Sequence, residues 1–173
     1  MHDKPDEKTT DEALMGKVRL GNKHAFENLI HRHQRSILNF IFRFMGNPTD
    51  AEDLTQDVFL RVWKAAGTYK PDAKFTTWVY KIATNLCINK QRALRIRRLF
   101  AQSHPQEQRQ GFKDLFIIGE GAELLTPEDH LIDSEQSVQL LNALNKLPTS
   151  QRLAIVLRIY DEMSYEEIAQ IMD

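Results

Sequence analysis

The chain has 173 residues, 42% hydrophobic and 27% charged, with a formal net charge of −1 and one cysteine, Cys87. That is room for one ordinary domain or two small ones, and one cysteine excludes a disulfide framework within the chain. Its longest apolar stretch, Ile37 to Met45, is broken by Asn39 and Arg43 and falls far short of the roughly 18 apolar residues of a membrane helix.

Met1 to Thr10 is polar and reads as a disordered tail; without an apolar core it is not a signal peptide. Asp11 is the expected cap of a short helix carrying Leu14, Val18 and Leu20 and closed by Gly21. Asn22 caps the next, in which Ala25, Phe26, Leu29, Ile30, Ile37, Leu38, Ile41, Phe42 and Met45 keep helical spacing up to Gly46. Thr49 and Glu52 have the spacing of a capping box. Behind them Ala51, Leu54, Val58, Val62 and Ala65 form one apolar stripe that leaves Asp53, Gln56, Asp57, Arg61 and Lys64 outside it, and Gly67 is the expected C-terminal cap. After the loop Thr68 to Lys74, a third long helix starts near Phe75 or Thr76. Its expected buried stripe is Phe75, Trp78, Val79, Ile82 and Leu86, and its other face carries Lys81, Thr84, Asn85, Arg92 and Arg95.

From about Ala101 to Asp133 prolines and glycines interrupt the pattern, which predicts a linker; Phe112 and Leu115 to Ile118 are unusually apolar for one. Helical spacing resumes at Ser134 with Val138, Leu141 and Leu144 and stops before Pro148. It continues from Thr149 or Ser150 through Leu153, Val156, Leu157 and Ile159, and again after a second capping box, Ser164 with Glu167. The fold expected is all-α, with no strand signal: an N-terminal helical bundle, a flexible linker and a small C-terminal helical unit. The segment Lys81 to Arg98 contains basic residues and no acid, whereas the chain from Glu120 onward is mostly acidic, a contrast that predicts two units with different neighbours.

Three segments, in this order, resemble the extracytoplasmic-function sigma factors of bacterial RNA polymerase. They are Asp50 to Trp63 (DAEDLTQDVFLRVW), Phe75 to Asn85 (FTTWVYKIATN), and Leu147-Pro148 followed by Met163 to Met172 (MSYEEIAQIM). The resemblance implies a tail at 1–10, sigma region 2 at 11–100, a linker at 101–133 and sigma region 4 at 134–173. It implies a transcription initiation factor that binds core RNA polymerase through the β′ clamp helices and the β subunit, directs it to promoters and stabilises the melted −10 strand. An anti-sigma factor, a cytoplasmic location and no membrane insertion are implied with it. Asp50, Asp53, Gln56, Asp57, Leu60 and Arg61 are then the polymerase-binding residues. Tyr69, Lys70, Lys74, Tyr80, Lys81, Thr84, Asn85, Arg92 and Arg95 are the DNA-binding ones, supplying aromatic or amide groups for unstacked bases and cations for phosphates. By the resemblance Asp173 falls at the end of the first helix of a helix-turn-helix, so the turn and the recognition helix are expected beyond it and the motif is incomplete as written.

The residues alone leave plainer alternatives. The acidic first turns of the second long helix suit a capped, solvated helix, Tyr69 suits a loop aromatic folded onto the bundle, and Trp78 suits core packing. His31 and His33 diverge on a helix and make a poor metal pair, and Cys87 reads as a packed small hydrophobe. No phosphate-cradling loop, nucleophile elbow or catalytic carboxylate pair occurs, so neither an enzyme nor a cofactor is expected. The rival readings are a DNA-binding regulator acting without polymerase and a sigma-like interaction protein that opens no DNA.

Overall fold

In the computed structural model, residues 9–72, 74–101, 139, 143–144 and 146–173 are described, and all regular structure among them is helical. The expected linker lies outside the described residues except for its first residue, Ala101. So does most of the helix expected from Ser134, of which Gln139, Ala143, Leu144 and Lys146 are helical.

Helix α1 (Asp11–Arg19) is capped by Thr10, whose hydroxyl accepts from the Ala13 amide at 3.3 Å; Asp11, the expected cap, is the first helical residue. Gly21, at φ 84°, turns the chain so that Asn22 can cap α2 (Lys23–Met45) through the Ala25 amide at 3.0 Å. Gly46 ends α2 in the left-handed region, φ 70°, with its N–H on the Phe42 carbonyl at 2.7 Å, a conformation in which a side chain is costly. Helix α3 (Pro48–Ala65) begins two residues earlier than the Thr49–Glu52 spacing suggests. Asn47 accepts from the Asp50 amide at 2.9 Å, and Pro48 fills the first turn, where its missing N–H is not needed. Gly67 is no left-handed cap either: α3 tightens into a 3-10 turn, Ala66–Thr68. Helix α4 (Phe75–Ala101) follows, and its first amide donates to Glu12 Oε1 of α1 at 3.1 Å. Helix α5 (Thr149–Ile159) and helix α6 (Tyr165–Met172) complete the chain, and the Ser164–Glu167 capping box at the start of α6 forms as expected.

Helices α1 to α4 pack as a bundle around Leu14, Leu29, Ile37, Phe40, Val58 and Phe75, all buried. The C-terminal helices join that bundle: α5 lies on α2, and α6 lies on α4 and α5. Leu153, Val156, Leu157, Ile168 and Ile171 belong to the same continuous core as Phe40, Phe44, Ala83 and Cys87. Each large side chain so buried contributes about 1.5–3 kcal/mol. Apolar burial therefore dominates the union of the two units.

That union corrects the expected layout of α4. A single buried stripe was expected, yet α4 buries two faces, because α6 covers a second one. Ala83, Thr84 and Cys87 are buried, while Trp78 and Ile82 of the expected stripe are only half-buried. His33 is held between helices, 14% exposed at its side chain. Its Nε2 lies 2.7 Å from Asp11 Oδ2 and its ring 5.1 Å from that of Phe75, while Arg32 meets Asp11 Oδ1 at 2.8 Å, so α1 is fastened to α2.

Candidate polymerase and nucleic-acid interfaces

The amphipathic stripe of α3 positions the first candidate surface. Ala51, Leu54, Val58 and Val62 are buried, and the helix turns Asp53, Gln56, Asp57, Leu60 and Arg61 outward. Leu60 is 55% exposed and extends this row with an apolar side chain. Asp50 differs from the other five: Lys90 of α4 holds its carboxylate at 2.7 Å. Beside the exposed row, Phe26, Ile30 and Gln34 of α2 and Thr55, Gln56, Phe59 and Leu60 of α3 line an open groove of about 340 Å³. The Thr55 hydroxyl bonds back to the Ala51 carbonyl at 2.7 Å, which leaves the groove wall largely apolar.

The second candidate surface runs along the loop before α4 and the helix itself. Lys70, Asn85, Arg92 and Arg95 are exposed and Lys81 is half-buried. Of the remaining four expected residues Tyr69, Tyr80 and Thr84 are buried, and Lys74 is exposed but ion-paired. Tyr69 is 7% exposed, folded 5.0 Å from Trp78 and edge-on to Phe75, and burial pushes its phenol pKa up. Tyr80 sits edge-on to Phe40, its centroid 5.1 Å away, and its hydroxyl donates to Asp161 Oδ1 at 2.6 Å. Thr84 is 1% exposed, and its hydroxyl has no partner among the described residues. Lys74 meets Glu167 of α6 at 2.9 Å. That bond holds the ammonium pKa above its ordinary value and the Glu167 carboxyl below.

Three residues that shape this surface, Asp161, Arg43 and Arg152, have no motif around them in the sequence, and a fourth, Glu167, has one only for another role. Asp161 stands in the turn between α5 and α6, and burial pushes its carboxyl up to about 6 against the opposing pull of Tyr80 and Arg43. Arg43 lies over the Tyr160 ring at 4.4 Å. Arg152, 6% exposed, lies over the Phe44 ring at 4.7 Å, and burial lowers its pKa. Glu167 is visible in the sequence only as a capping residue, and it does both jobs. Cys87 is fully buried as expected, and its thiol is pushed up to about 12. Among the described residues no group of metal-ligating side chains forms, and no helix is long and apolar enough to cross a membrane.

Sigma-70 region 2 matches residues 29–97 and Sigma-70, region 4 matches residues 137–173. The chain is 32% identical to the RNA polymerase sigma-H factor of Pseudomonas aeruginosa, over 94% of this chain and 82% of that one. It is 31% identical to the ECF RNA polymerase sigma-E factor of Escherichia coli K12, over 96% and 85%, and 31% identical to SigW of Bacillus subtilis, over 90% and 81%. The structure of CnrH in complex with the cytosolic domain of CnrY matches 94% of this chain and 82% of that one, with a TM-score of 0.62 and 25% identity. The chain belongs to the extracytoplasmic-function RNA polymerase sigma factors. It is therefore a transcription initiation factor that directs core RNA polymerase to promoters.

Proposed function

We propose that α3 docks on the polymerase clamp and that the face of α4 with its preceding loop holds the melted −10 strand. The observation that carries the first half is the exposed row Asp53, Gln56, Asp57, Leu60 and Arg61 beside an apolar groove, on a helix whose opposite side is fully packed. Such a surface combines a desolvatable centre with a charged rim, the usual anatomy of a protein interface. For the second half, Lys70, Lys81, Arg92 and Arg95 provide cations for phosphates, and Asn85 provides a paired donor and acceptor for a base edge. Extruding a base costs a few kcal/mol. Binding to polymerase and capture of the strand offset that cost without catalysis by this chain, so the factor acts noncatalytically in the cytoplasm, where the polymerase works.

CnrH forms a complex with the cytosolic domain of CnrY, and a partner of that kind, an anti-sigma factor, is proposed to restrain this chain. The test is binding to purified core polymerase beside an Asp53→Arg/Asp57→Arg variant. The parent forms a stable complex and the variant, with both charges reversed on exposed positions, loses it while keeping its helix content. Equal binding by the two would remove α3 from the interface.

A further inference from the structure

The residue immediately before helix α4, Lys74, has no means of capping it. Its carbonyl accepts from the Trp78 amide at 3.2 Å, but a lysine side chain carries no acceptor for the open amides of the first turn. The acceptor comes from 63 residues away: Glu12 of α1, half-buried, takes the Phe75 amide on Oε1 at 3.1 Å. A carboxylate there also suits the positive end of the helix dipole. The same helix reaches the other end of the loop before α4, since α1 packs on the 3-10 turn Ala66–Thr68 that leads into it. Between the two ends Tyr69 folds inward, its ring 5.0 Å from Trp78 and 6.4 Å from Phe75. Its phenol is pushed up by burial first, then by the nearby charges of Glu12 and Asp11. Asp11 in turn pins α1 to α2 through Arg32 at 2.8 Å and His33 at 2.7 Å, and the His33 ring lies 5.1 Å from that of Phe75.

We propose that Glu12 is a positioning residue for the loop before α4: as a cap supplied from α1, it fixes that loop against the first turn of α4 and so sets the geometry presented to the melted strand. The inference rests on the proposed DNA role of the loop and of α4. Lys70, exposed on the loop, and Asn85, exposed further along the helix, meet the same strand in that reading. Their relative placement is set at the joint between loop and helix, and the Glu12 carboxylate closes that joint. Glu12 needs no contact with DNA for this, and its charge is unsuited to a phosphate. In sequence it reads as an ordinary acid in the first turn of α1. Without the cap the first turn of α4 frays and the loop samples further arrangements. The apparent affinity for the strand then falls in proportion to the competent fraction.

The experiment uses holoenzyme reconstituted from the full chain and core polymerase. The probe is the dye-labelled 12-nucleotide single strand that the parent holoenzyme selects from a random pool, with binding read by fluorescence anisotropy. Glu12→Ala is expected to bind the probe about fivefold more weakly than the parent while binding core polymerase equally well. Glu12→Gln, which keeps the accepting oxygen, is expected to stay within about twofold of the parent. So is Asn22→Ala, which removes the cap of α2 and loses comparable stability away from the loop. Hydrogen exchange over residues 69–78 is expected to quicken in Glu12→Ala and in neither of the other two. If Glu12→Ala loses helix content, Glu12→Asp replaces it: the charge stays, the carboxylate falls short by one methylene, and weaker binding is again expected. Parent-like binding by Glu12→Ala or its replacement, binding by Glu12→Gln as weak as that of Glu12→Ala, or an equal loss in Asn22→Ala would each overturn the positioning role. Lys70→Ala/Asn85→Ala tests the reading beneath it. If that chain loses the probe and Glu12→Ala keeps it, the DNA face stands and the cap has no part in it. If that chain binds like the parent, or the parent holoenzyme selects no strand beyond what core alone takes up, the DNA face and the positioning role fall together.

Discussion

The Tyr80 hydroxyl and Asp161 Oδ1, 81 residues apart in sequence, are joined by a 2.6 Å hydrogen bond across the junction of the two helical units. The ring of Tyr80 lies among core residues while its oxygen reaches a carboxyl whose other oxygen, Oδ2, is shielded and has no hydrogen-bond partner among the described residues. A buried acceptor of this kind depends on its one donor, since water cannot replace it.

Removing the donor therefore costs more than one ordinary hydrogen bond. Tyr80→Phe is expected to lower the unfolding free energy by about 1–3 kcal/mol, the desolvation penalty of an orphaned polar group. It also drives the Asp161 carboxyl further above its ordinary range. Urea denaturation measures the first effect and an NMR titration of the carboxyl the second. A Tyr80→Phe/Asp161→Ala chain recovers part of the loss, because both polar partners are then gone.

Burial holds the Asp161 carboxyl at about 6 in the folded chain, against 3.8 ordinarily. Between these two values the folded state binds more protons than the unfolded one, so this group makes stability rise as pH falls and lets it decline as pH rises toward the folded value. From about pH 7 to about pH 5 the parent is expected to gain about 1 kcal/mol relative to Asp161→Asn. Glu167, whose carboxyl is held below its ordinary value, stays ionised over this window and does not oppose the trend. Paired denaturation curves at the two pH values check the difference, and a loss of stability in the parent relative to the variant would contradict it.

Asn47, and not Thr49, is the residue that satisfies the first amides of α3. Asn47→Ala is expected to cost about 1 kcal/mol, whereas Thr49→Ala, an exposed change inside the first turn, stays within about 0.5 kcal/mol. Thermal unfolding of the two single variants separates them.

Cys87 reports on the joint between the units. Its thiol is fully buried and pushed up to about 12, so almost none is thiolate at neutral pH. In the native parent, iodoacetamide is expected to label it on the order of a thousandfold more slowly than in urea, since the reaction waits for an opening. Asp161→Ala/Glu167→Gln is expected to speed native labelling, because α5 and α6 cover this part of α4. Mass spectrometry after timed quenching gives both rates.

Much of the local structure is legible in the sequence alone. Asn22, the Ser164–Glu167 box, the ends at Gly46 and Met45 and the stripe of α3 follow from short-range chemistry, and each forms. Thr49 misled because two residues with capping chemistry, Asn47 and Thr49, stand within one turn of each other. Spacing alone cannot choose between them, while Pro48 at the first helical position selects Asn47. Gly67 misled because a 3-10 turn closes α3 without needing a positive φ.

The amino-acid sequence by itself determined the helices, the family and the exposed row of α3, because each is encoded by periodicity or by a run of neighbouring residues. Which face of α4 is open to a partner was decided only by the tertiary structure. Tyr80 and Thr84 lie outside the apolar stripe, and nothing near them in sequence marks them as buried, nor does anything near Lys74, which stays exposed, mark its ion pair. The partners of Tyr80 and Lys74, Asp161 and Glu167, lie more than 80 residues away on the far side of the expected linker. Burial between distant segments depends on how whole helices dock, and no local pattern carries that information.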